Sequence, residues 1–481
     1  MIVIVPELGD IRRTGVVAVP AAVWRLAAVV AFGAVMAGLD TSVANVGLDT
    51  IRQDLGASLA SAQWITSGYL LALAGALPAC GWLSRRLGAG RLWLGALAGF
   101  TVASGLCAIA PNIEALIALR VLQGIAGGLL IPAGMTIIAQ AAGPARMGRV
   151  MSISAVPAIL APAVGPVIGA LLIAQLSWHW LFLINLPIGA LGLILGWRMV
   201  PGGDRDPSAR IDLPGLVLVG AGLPLVIYAI TLTAEQRTLL DSTVLVPMVA
   251  GVAALAAFAR RSLRRESPLL DLRLVKNRVY AAASVEVLFG GAALFGGLIV
   301  MPLYFQLQRE AGIVDTGWLL IAFSLGAAAT FPIAGWLTDR YGGGIVASAG
   351  LIVTALSTVP FALLPADTNL VGVEALQVVR GIGLALAGQP AISAAFATVK
   401  RHQLPDATSQ INILSRVGGA LGSALFVVIL TQGLAPDARG AATTDAFHTT
   451  FWWLTVAAVA ALLAAGWLVI EQRRTGTAGG K

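Results

Sequence analysis

Fourteen stretches of mainly apolar residues follow one another along the chain, and short loops richer in Gly, Pro and charged residues separate them. A hydrocarbon core of about 30 Å requires about 17–25 apolar residues in helical form, because each residue adds about 1.5 Å. Each stretch meets that length, so the pattern predicts an all-α polytopic membrane protein with fourteen transmembrane helices. The predicted spans cover residues 23–47, 61–82, 92–110, 113–139, 148–174, 180–199, 213–233, 243–260, 279–307, 314–337, 344–364, 370–398, 406–431 and 450–470.

Composition supports a membrane protein, since 58% of the 481 residues are hydrophobic and only 11% are charged, against about 25% in soluble proteins. The net charge of +8 does not indicate nucleic-acid binding, because the basic residues fall in short loops between spans. With the N-terminus inside, 24 of the 31 Lys and Arg residues lie on the cytoplasmic side and four lie in outer loops. The positive-inside rule therefore predicts a multi-pass protein of a bacterial plasma membrane with both termini in the cytoplasm.

Two pairs of segments repeat with the same orientation in the membrane. Residues 81–88 (GWLSRRLG) resemble residues 335–342 (GWLTDRYG), 254 positions later, and residues 114–120 (EALIALR) resemble residues 374–380 (EALQVVR), 260 positions later. Parallel repeats of this kind are typical of transporters with two six-helix halves around a central site. The predicted units are an N-terminal tail that is retained (1–22), a first half (23–200), two inserted helices with a cytoplasmic linker (201–265), a second half (266–470) and a C-terminal tail (471–481).

Asp40 lies within the first span, where an ionised side chain costs roughly 2.5–3.5 kcal/mol on insertion scales. Span 1 runs outward and span 4 runs inward, so Asp40 and Arg120 each lie roughly 12 Å below the outer surface. Opposite charges at one depth relieve each other's desolvation and are natural partners. Burial favours the neutral acid whereas the arginine favours the carboxylate, so the pair is a candidate proton-coupling site. A static structural ion pair is the alternative interpretation.

Glu286 is the second acid within a span. It lies roughly 10 Å from the cytoplasmic surface, whereas Asp40 lies toward the outer surface, so the two are not expected to touch directly. Arg416 in span 13 reaches a similar depth. One interpretation is that Glu286 binds a proton or cation in an inward-facing cavity and is balanced by Arg416. The other is that its carboxyl extends toward the cytoplasm. Arg380 matches Arg120 in the repeat but has no obvious acidic partner.

Several further motifs occur in order along the chain: LDTSVANV (39–46), LIALRVLQG (116–124), APAVGPVIG (161–169), WHWLFLINLPIG (178–189), LDLRL (270–274) and MPLYFQ (301–306). With these motifs the chain resembles the fourteen-span drug/proton antiporter branch of the major facilitator superfamily over nearly its whole length. The resemblance implies the major facilitator fold, with two six-helix halves plus two extra helices, and alternating access around a midplane cavity.

The resemblance also implies roles for individual residues. Gly165, Pro166 and Gly169 match the antiporter signature, in which small residues and prolines allow close helix approach and bending. A packing seam without a role in antiport is the alternative. The family's cytoplasmic loop motif has the form Gly-x-Leu-x-Asp-Arg, and its positions here are Gly81, Arg85, Arg86 in the first half and Gly335, Asp339, Arg340 in the second.

Arg85 departs from the family pattern, because the family has Asp at this position. In the family that Asp is thought to help hold the two halves together in the outward-open state. The departure puts the first-half contact in doubt, or leaves the task to Asp339 in the second half.

Residues expected to line the cavity are Asn45, Tyr69, Gln123, Phe289 and Arg416. Some relatives in the family use an acid in span 10 for divalent organic cations. Span 10 of this chain has no acidic residue in its membrane interior, so a strong preference for divalent organic cations is not expected. The two Cys and three His residues lack the spacing of a metal site. No GxxxxGK[ST] motif is present, so ATP drive is not expected. Neither a metal nor another cofactor is predicted.

Together these features predict a proton-coupled secondary exporter of small amphipathic or lipophilic compounds, including cationic drugs or dyes, rather than an enzyme. Its expected partners are protons, a lipophilic substrate and the lipid bilayer, and the expected functional unit is a monomer. A dedicated exporter of one endogenous product, such as a lipid, siderophore or antibiotic, is the alternative within transport. A membrane enzyme or sensor would need a nucleophile cluster, a metal set or a sizeable soluble domain, and the sequence has none of these.

Overall fold

The computed structural model describes residues 18–207, 211–236, 241–265, 268–365, 368–434 and 441–476. In these ranges the chain is almost entirely helical, and fourteen helices are long and apolar enough to cross a membrane. The predicted number of spans is therefore confirmed. We number the helices α1 (Ala21–Val46), α2 (Leu59–Leu87), α3 (Ala89–Cys107), α4 (Ile113–Ala142), α5 (Met147–Gln175), α6 (Asn185–Met199), α7 (Leu213–Gln236), α8 (Ser242–Arg264), α9 (Arg278–Leu303), α10 (Ile313–Tyr341), α11 (Gly343–Thr358), α12 (Leu370–Ala397), α13 (Leu404–Gly433) and α14 (Ala441–Arg474).

Several helices extend beyond the predicted spans. α2 continues to Leu87 and carries Arg85 and Arg86 in its last turn, while α14 begins at Ala441, nine residues before the predicted start. A helix that continues past its apolar part still satisfies its backbone hydrogen bonds internally. The long polar side chains at its ends extend to the membrane surface. The apolar pattern therefore gives the buried part of each helix and underestimates its full length.

Each copy of the repeated loop motif ends in a glycine that terminates a helix. Gly88 after α2 and Gly342 after α10 both have φ of +89°, a value that residues with a β-carbon rarely adopt. The next helix begins at the following residue, Ala89 or Gly343. The glycines thus explain how two long helices reverse direction in a minimal loop at the same place in both halves.

The apolar cores show how the two halves meet. We call the end of the bundle where α1 begins and α14 ends the terminal face, and the other end the opposite face. One buried cluster joins the terminal-face portions of both halves, with Leu26, Ile138, Ala283 and Phe396 among its members. At the opposite face each half has a separate cluster, one around residues 43–65 and 107–116 and one around residues 300–305 and 426–454. Among the described residues, the largest apolar core is therefore shared by both halves toward the terminal face, whereas the clusters at the opposite face are separate.

The contacts between halves follow a swapped pattern. α2 of the first half packs on α13, the fifth helix of the second half, and α5, the fifth helix of the first half, packs on α10, the second helix of the second half. Thr136 and Thr408 form a buried hydrogen bond of 2.7 Å across this boundary. The exchange of equivalent positions is what a pseudo-twofold axis between two repeats produces.

The two extra helices lie beside the seam between α2 and α13. α8 packs mainly on α7, and α7 in turn contacts both α2 and α13. At the terminal face, the buried carboxylate of Asp212 accepts hydrogen bonds from Nε of Arg261 and Nη1 of Arg265, each at 2.9 Å. These bonds join the start of α7 to the end of α8, so the pair forms a unit attached to the outside of the two halves.

Candidate functional site

Asp40 lies at the centre of a buried polar network in the first half. Its carboxylate is 1% exposed. Oδ2 accepts a hydrogen bond of 2.6 Å from Nη1 of Arg120, and Oδ1 accepts bonds from Nε2 of Gln123 (2.8 Å) and Nδ2 of Asn185 (3.0 Å). Three donors, one of which carries a full positive charge, thus surround this carboxyl in the interior.

Arg120 is fixed from several sides. Its Nη1 also donates to Oε1 of Gln123 (2.7 Å), and its Nε donates to the carbonyl oxygen of Ile65 on α2 (3.2 Å). The guanidinium lies over the ring of Tyr69, 4.2 Å from the ring centroid, a distance typical of cation–π attraction. These contacts join α1, α2 and α4, so moving any one of these helices changes the surroundings of Asp40.

Asn185 and Ser104 complete the network, and sequence reasoning missed both as site residues. Nδ2 of Asn185 donates to Oγ of Ser104 (3.0 Å), and this hydroxyl donates to the carbonyl oxygen of Phe182 (2.9 Å). Both side chains are fully buried. An asparagine within an apolar span was the available signal, because a buried amide requires hydrogen-bond partners.

The structure brings together Asp40, Arg120, Gln123 and Tyr69 among the predicted site residues. The predicted pairing of the two charges is present in the structure, while its role in proton transfer stays a prediction. Asn45 lies apart from the network, near the opposite face, where its Oδ1 accepts a hydrogen bond from Thr66 (2.8 Å).

The glycine-rich segment of α5 packs on α1 close to Asp40. A β-carbon on Gly165 would lie 1.8 Å from Oγ and 2.8 Å from Cβ of Ser42, and a β-carbon on Gly169 would touch the backbone of Val43. Pro166 lies between them within the helix. The segment therefore allows α5 to approach the helix that carries the buried acid, an arrangement that suits both an antiport role and a packing seam.

Replacing Gly165 with Ala is expected to destabilise the protein by roughly 1–3 kcal/mol, because the new methyl group overlaps Ser42 in a closely packed contact. The measurement is the midpoint of thermal unfolding of the purified protein in detergent. Gly95→Ala in α3 is the matched control, since nothing lies within 4 Å of a β-carbon at that position. Equal midpoints for the two variants would contradict the proposed contact.

Glu286 has no polar partner in the part of the chain that the structure describes. The residue is 0% exposed, and neither carboxyl oxygen has a hydrogen-bond partner. Its side chain lies against Gly290, one turn further along α9. The carboxyl therefore does not reach the solvent at the terminal face in this conformation.

Arg416 does not form an ion pair with Glu286 among the described residues. Its guanidinium lies 5.6 Å from the ring centroid of Phe295, and the side chain is half-buried. Phe289 on α9 is 38% exposed. Among the described residues, Arg416 therefore does not supply a counter-charge to Glu286, so the interpretation in which the two balance each other is not seen in this conformation.

Two ion pairs join the halves at the terminal face. Arg85 at the end of α2 pairs through Nη1 with Asp406 at the start of α13. Nε of Arg149 on α5 pairs with Oδ2 of Asp339 at the end of α10 (2.7 Å), and the backbone nitrogen of Gly148 donates to Oδ1 of the same carboxylate (2.8 Å). The two pairs occupy equivalent places in the two halves.

An ion pair is present at the first-half position that the sequence had left in doubt. Arg85 replaces the acid of the family motif, but its partner Asp406 supplies the negative charge, so the ion pair persists with reversed polarity. Nη2 of Arg85 also lies 3.3 Å from the carbonyl oxygens of Pro268 and Leu269 in the linker after α8. Asp406 was missed as a site residue, because its partner precedes it by 321 positions.

The motif glycines lie where helices of opposite halves touch. A β-carbon on Gly81 would lie 2.5 Å from Oδ1 of Asp406, and one on Gly335 would lie 2.7 Å from Cα of Arg149. The remaining basic positions have other contacts: Arg86 donates to the carbonyl oxygen of Pro207, and Arg340 lies over the rings of Trp336 and Tyr341 at 5.3 and 5.5 Å.

Comparison with known proteins identifies the family. Residues 30–423 match the sequence family described as the Major Facilitator Superfamily, with a second match over residues 287–480. A Mycobacterium tuberculosis protein named "Multidrug resistance protein B homolog" is 36% identical over 410 residues, which cover 85% of this chain and 76% of that protein. The Streptomyces glaucescens "Tetracenomycin C resistance and export protein" is 29% identical over 414 residues, covering 85% of this chain and 76% of that protein.

Solved structures show the same fold. The human organic anion transporter MFSD10 aligns with a TM-score of 0.64 at 16% identity, over 93% of this chain and 100% of that one. The proton:xylose symporter XylE aligns with a TM-score of 0.60 at 14% identity, over 92% of this chain and 95% of that one. The chain therefore belongs to the major facilitator superfamily, as a transporter of the multidrug-resistance type.

Proposed function

We propose that this transporter exports small amphipathic or lipophilic compounds from a bacterial cell in exchange for protons. The observation that carries the proposal is the buried network of Asp40, Arg120, Gln123 and Asn185, because an ionisable acid at this depth is a natural place for a coupling proton. The name of the Mycobacterium tuberculosis relative supports a multidrug substrate range. The distribution of basic residues favours an orientation with both termini in the cytoplasm, and the proposed functional unit in the plasma membrane is a monomer.

The conformation described here corresponds to a transporter closed toward the cytoplasm. The terminal face is then the cytoplasmic one, and there the halves share one apolar core and two ion pairs. The separate cores at the opposite face leave the halves free to part on that side. Alternating access requires both ion pairs to break before the cavity opens to the cytoplasm.

A proton on Asp40 couples to helix movement through the network. The protonated acid loses its attraction for Arg120 and leaves a buried guanidinium without a countercharge, which is costly. The helices α1, α4 and α6, which meet at this carboxyl, are then free to adopt another arrangement. Proton uptake from outside thereby favours the rearrangement that releases the exported compound and returns the carrier inward.

Purified protein in proteoliposomes with an imposed pH gradient tests the proposal. A fluorescent lipophilic cationic dye is expected to move against its own gradient when protons move down theirs, and a protonophore is expected to stop this movement. Dye transport that proceeds equally with and without the pH gradient would contradict proton coupling. Absence of transport for a broad set of lipophilic dyes would contradict the proposed substrate range.

Glu286 is the second proposed proton site. An ionised carboxyl at this place would lack a donor and a cation in the described part of the chain, and such a charge is expensive to bury. Glu286 therefore carries its proton in this conformation and releases it when the cytoplasmic side opens to water.

The variant Glu286→Gln keeps the shape of the protonated acid and is expected to fold normally. Because glutamine has no proton to release, gradient-driven dye export is expected to fall at least about tenfold, or roughly 1.4 kcal/mol. Binding of the dye to the purified protein is expected to stay within about twofold of the parent. Glu374→Gln is the matched control, because Glu374 lies near the opposite face at the start of α12. Undiminished export by Glu286→Gln would eliminate this role.

A dedicated exporter of one endogenous product is the second candidate, and the name of the Streptomyces glaucescens relative, an export protein for tetracenomycin C, favours it. A panel of unrelated dyes and antibiotics, applied to cells that lack other pumps, separates the two. Resistance to several unrelated compounds supports broad export, whereas resistance to a single chemical series supports the dedicated exporter.

A further inference from the structure

The second half contains an incomplete copy of the Asp40 site. Arg380 on α12 is the repeat counterpart of Arg120, 260 positions later, and Phe323 on α10 follows Tyr69 by 254 positions, the same offset as the loop motif. As Arg120 lies over Tyr69, so Arg380 lies over Phe323, 5.8 Å from the ring centroid. The arginine and its aromatic neighbour are therefore duplicated.

The acid is not duplicated. α1 and α9 are each 26 residues long, and Asp40 and Gly297 both stand 19 positions after the first residue of their helix. The contact is preserved as well, since a β-carbon on Gly297 would lie 1.8 Å from Nη2 of Arg380. The guanidinium thus occupies the space that a side chain at this position would need, and glycine supplies no charge to meet it.

Arg380 remains without an ion pair among the described residues. It is 4% exposed, and its buried Nε has no hydrogen-bond acceptor. Gln377, one turn earlier on the same helix, is 1% exposed, and its amide oxygen has no donor. Glu286 lies eleven positions before Gly297, roughly 16 Å along α9, so it does not supply the missing charge.

A buried cation without a countercharge is costly, and the usual remedy is a bound anion or a paired acid. We propose that Arg380 and Gln377 form an anion-binding subsite in the second half, which takes the acidic group of an exported amphipathic compound. The guanidinium faces the anionic oxygens, the Gln377 oxygen accepts from a neighbouring hydroxyl or N–H group, and the Phe323 ring covers one side. This inference rests on the proposed export function and adds acidic compounds to its substrate class.

Binding of three matched probes to the purified full chain in nanodiscs tests the subsite without any pH gradient. The probes are 1-naphthoate, neutral 1-naphthamide and cationic 1-naphthylmethylammonium, which share one ring system and differ in charge. The naphthoate is expected to bind roughly ten- to hundredfold more tightly than the amide, as for a hydrogen bond to a charged group. Equal affinities for naphthoate and naphthamide, in chloride as well as in chloride-free buffer, would overturn the proposal.

Two variants assign the preference to this place. Arg380→Gln is expected to bind naphthoate and naphthamide equally, and Arg380→Lys, which keeps the charge, is expected to restore part of the difference. Gly297→Asp gives the second half the acid of the first, and the new carboxylate is expected to form an ion pair with Arg380 and remove the naphthoate preference. This variant tests the assignment even if Arg380→Gln fails to fold. Unchanged naphthamide binding shows that each variant is folded.

The remaining outcomes distinguish an anionic substrate from free chloride, and they distinguish the anion subsite from proton-coupled export. A preference that survives in both Arg380→Gln and Gly297→Asp, or disappears only in Arg416→Gln, would overturn the assignment. Naphthoate binding that appears only in chloride-free buffer identifies a free chloride as the natural occupant and still supports an anion subsite at Arg380. Naphthoate preference in a protein that shows no gradient-driven dye export supports the subsite while contradicting proton-coupled export.

Discussion

Asp40→Asn is expected to reduce pH-gradient-driven dye export to the level of empty liposomes. The substitution keeps the size of the side chain but removes the charge that balances Arg120, and both residues are fully buried. A buried cation that loses its partner costs roughly 3–5 kcal/mol, so the thermal midpoint is expected to fall as well. Export is measured in proteoliposomes, and stability is measured on the same preparation.

The double variant Asp40→Asn with Arg120→Gln separates proton coupling from a static ion pair. Removing both charges takes away the unpaired cation, so stability is expected to return close to that of the parent. Export is expected to remain lost, because no titratable group stands at this place. Gradient-driven export by the double variant at the parental rate would show that the pair is only structural.

Asp49→Asn controls for the chemistry of the substitution. This acid pairs with Arg52 near the opposite face, at 2.8 Å, and its side chain is 68% exposed. Exposed pairs contribute little to stability, so both export and the thermal midpoint are expected to stay near the parental values. A loss of export in this variant equal to that of Asp40→Asn would contradict the special role of the buried site.

The fold is largely predictable from sequence because membrane insertion imposes one strong requirement. Every spanning segment must satisfy its backbone hydrogen bonds internally and present apolar side chains over about 30 Å. The fourteen spans follow from this requirement alone. The pairing of Asp40 with Arg120 also follows, because the direction and starting point of each helix give the depth of its charged residue.

The rest of the network depends on packing between helices that are distant in sequence. Asn185 follows Asp40 by 145 positions. Its side chain is directed toward the carboxylate by the packing of α6 on α1 and α3. The depth of a residue along a helix can be predicted from sequence. When a helix is apolar on all sides, its rotation about its own axis cannot be predicted in this way. Asn185 and Ser104 were therefore missed although their depths were available.

Arg85 shows a second limit of motif reading. The motif assigns an acid to this position, and the substitution by a base puts the contact in doubt. An ion pair is a property of two positions, and the partner Asp406 lies in the other half of the molecule. Exchanging the two charges preserves the attraction, so a single motif without its partner position leaves the presence of the contact open.

The single variants Arg85→Asp and Asp406→Arg are expected to shift the transporter away from the conformation closed at the terminal face. Each creates a pair of like charges where the halves meet. The parental pair is partly buried, with side-chain exposures of 24% and 8%, and a hydrogen bond between charged groups contributes roughly 1.5–3 kcal/mol. The ratio of closed to open molecules is therefore expected to fall by about ten- to hundredfold, with a corresponding loss of export.

A cysteine at the boundary between the halves reports this shift. Thr408 is fully buried and bonded to Thr136 of the other half, so Thr408→Cys is expected to react slowly with a water-soluble maleimide until the terminal face opens. The natural cysteines Cys80 and Cys107 are both buried, which keeps the background labelling low. Faster labelling in Arg85→Asp and Asp406→Arg is the expected result.

The exchange Arg85→Asp with Asp406→Arg restores opposite charges in the orientation that the family motif has, and slow labelling and export are expected to return together. Arg91→Asp is the matched control, because Arg91 lies on the same face and donates to the Leu87 carbonyl of its own half. If the exchanged variant labels as fast as the single variants, the attraction between these two residues is not what holds the halves together. Closure at the terminal face would then depend on Asp339 and Arg149, whose pair keeps its acid at the end of α10 and its base on α5.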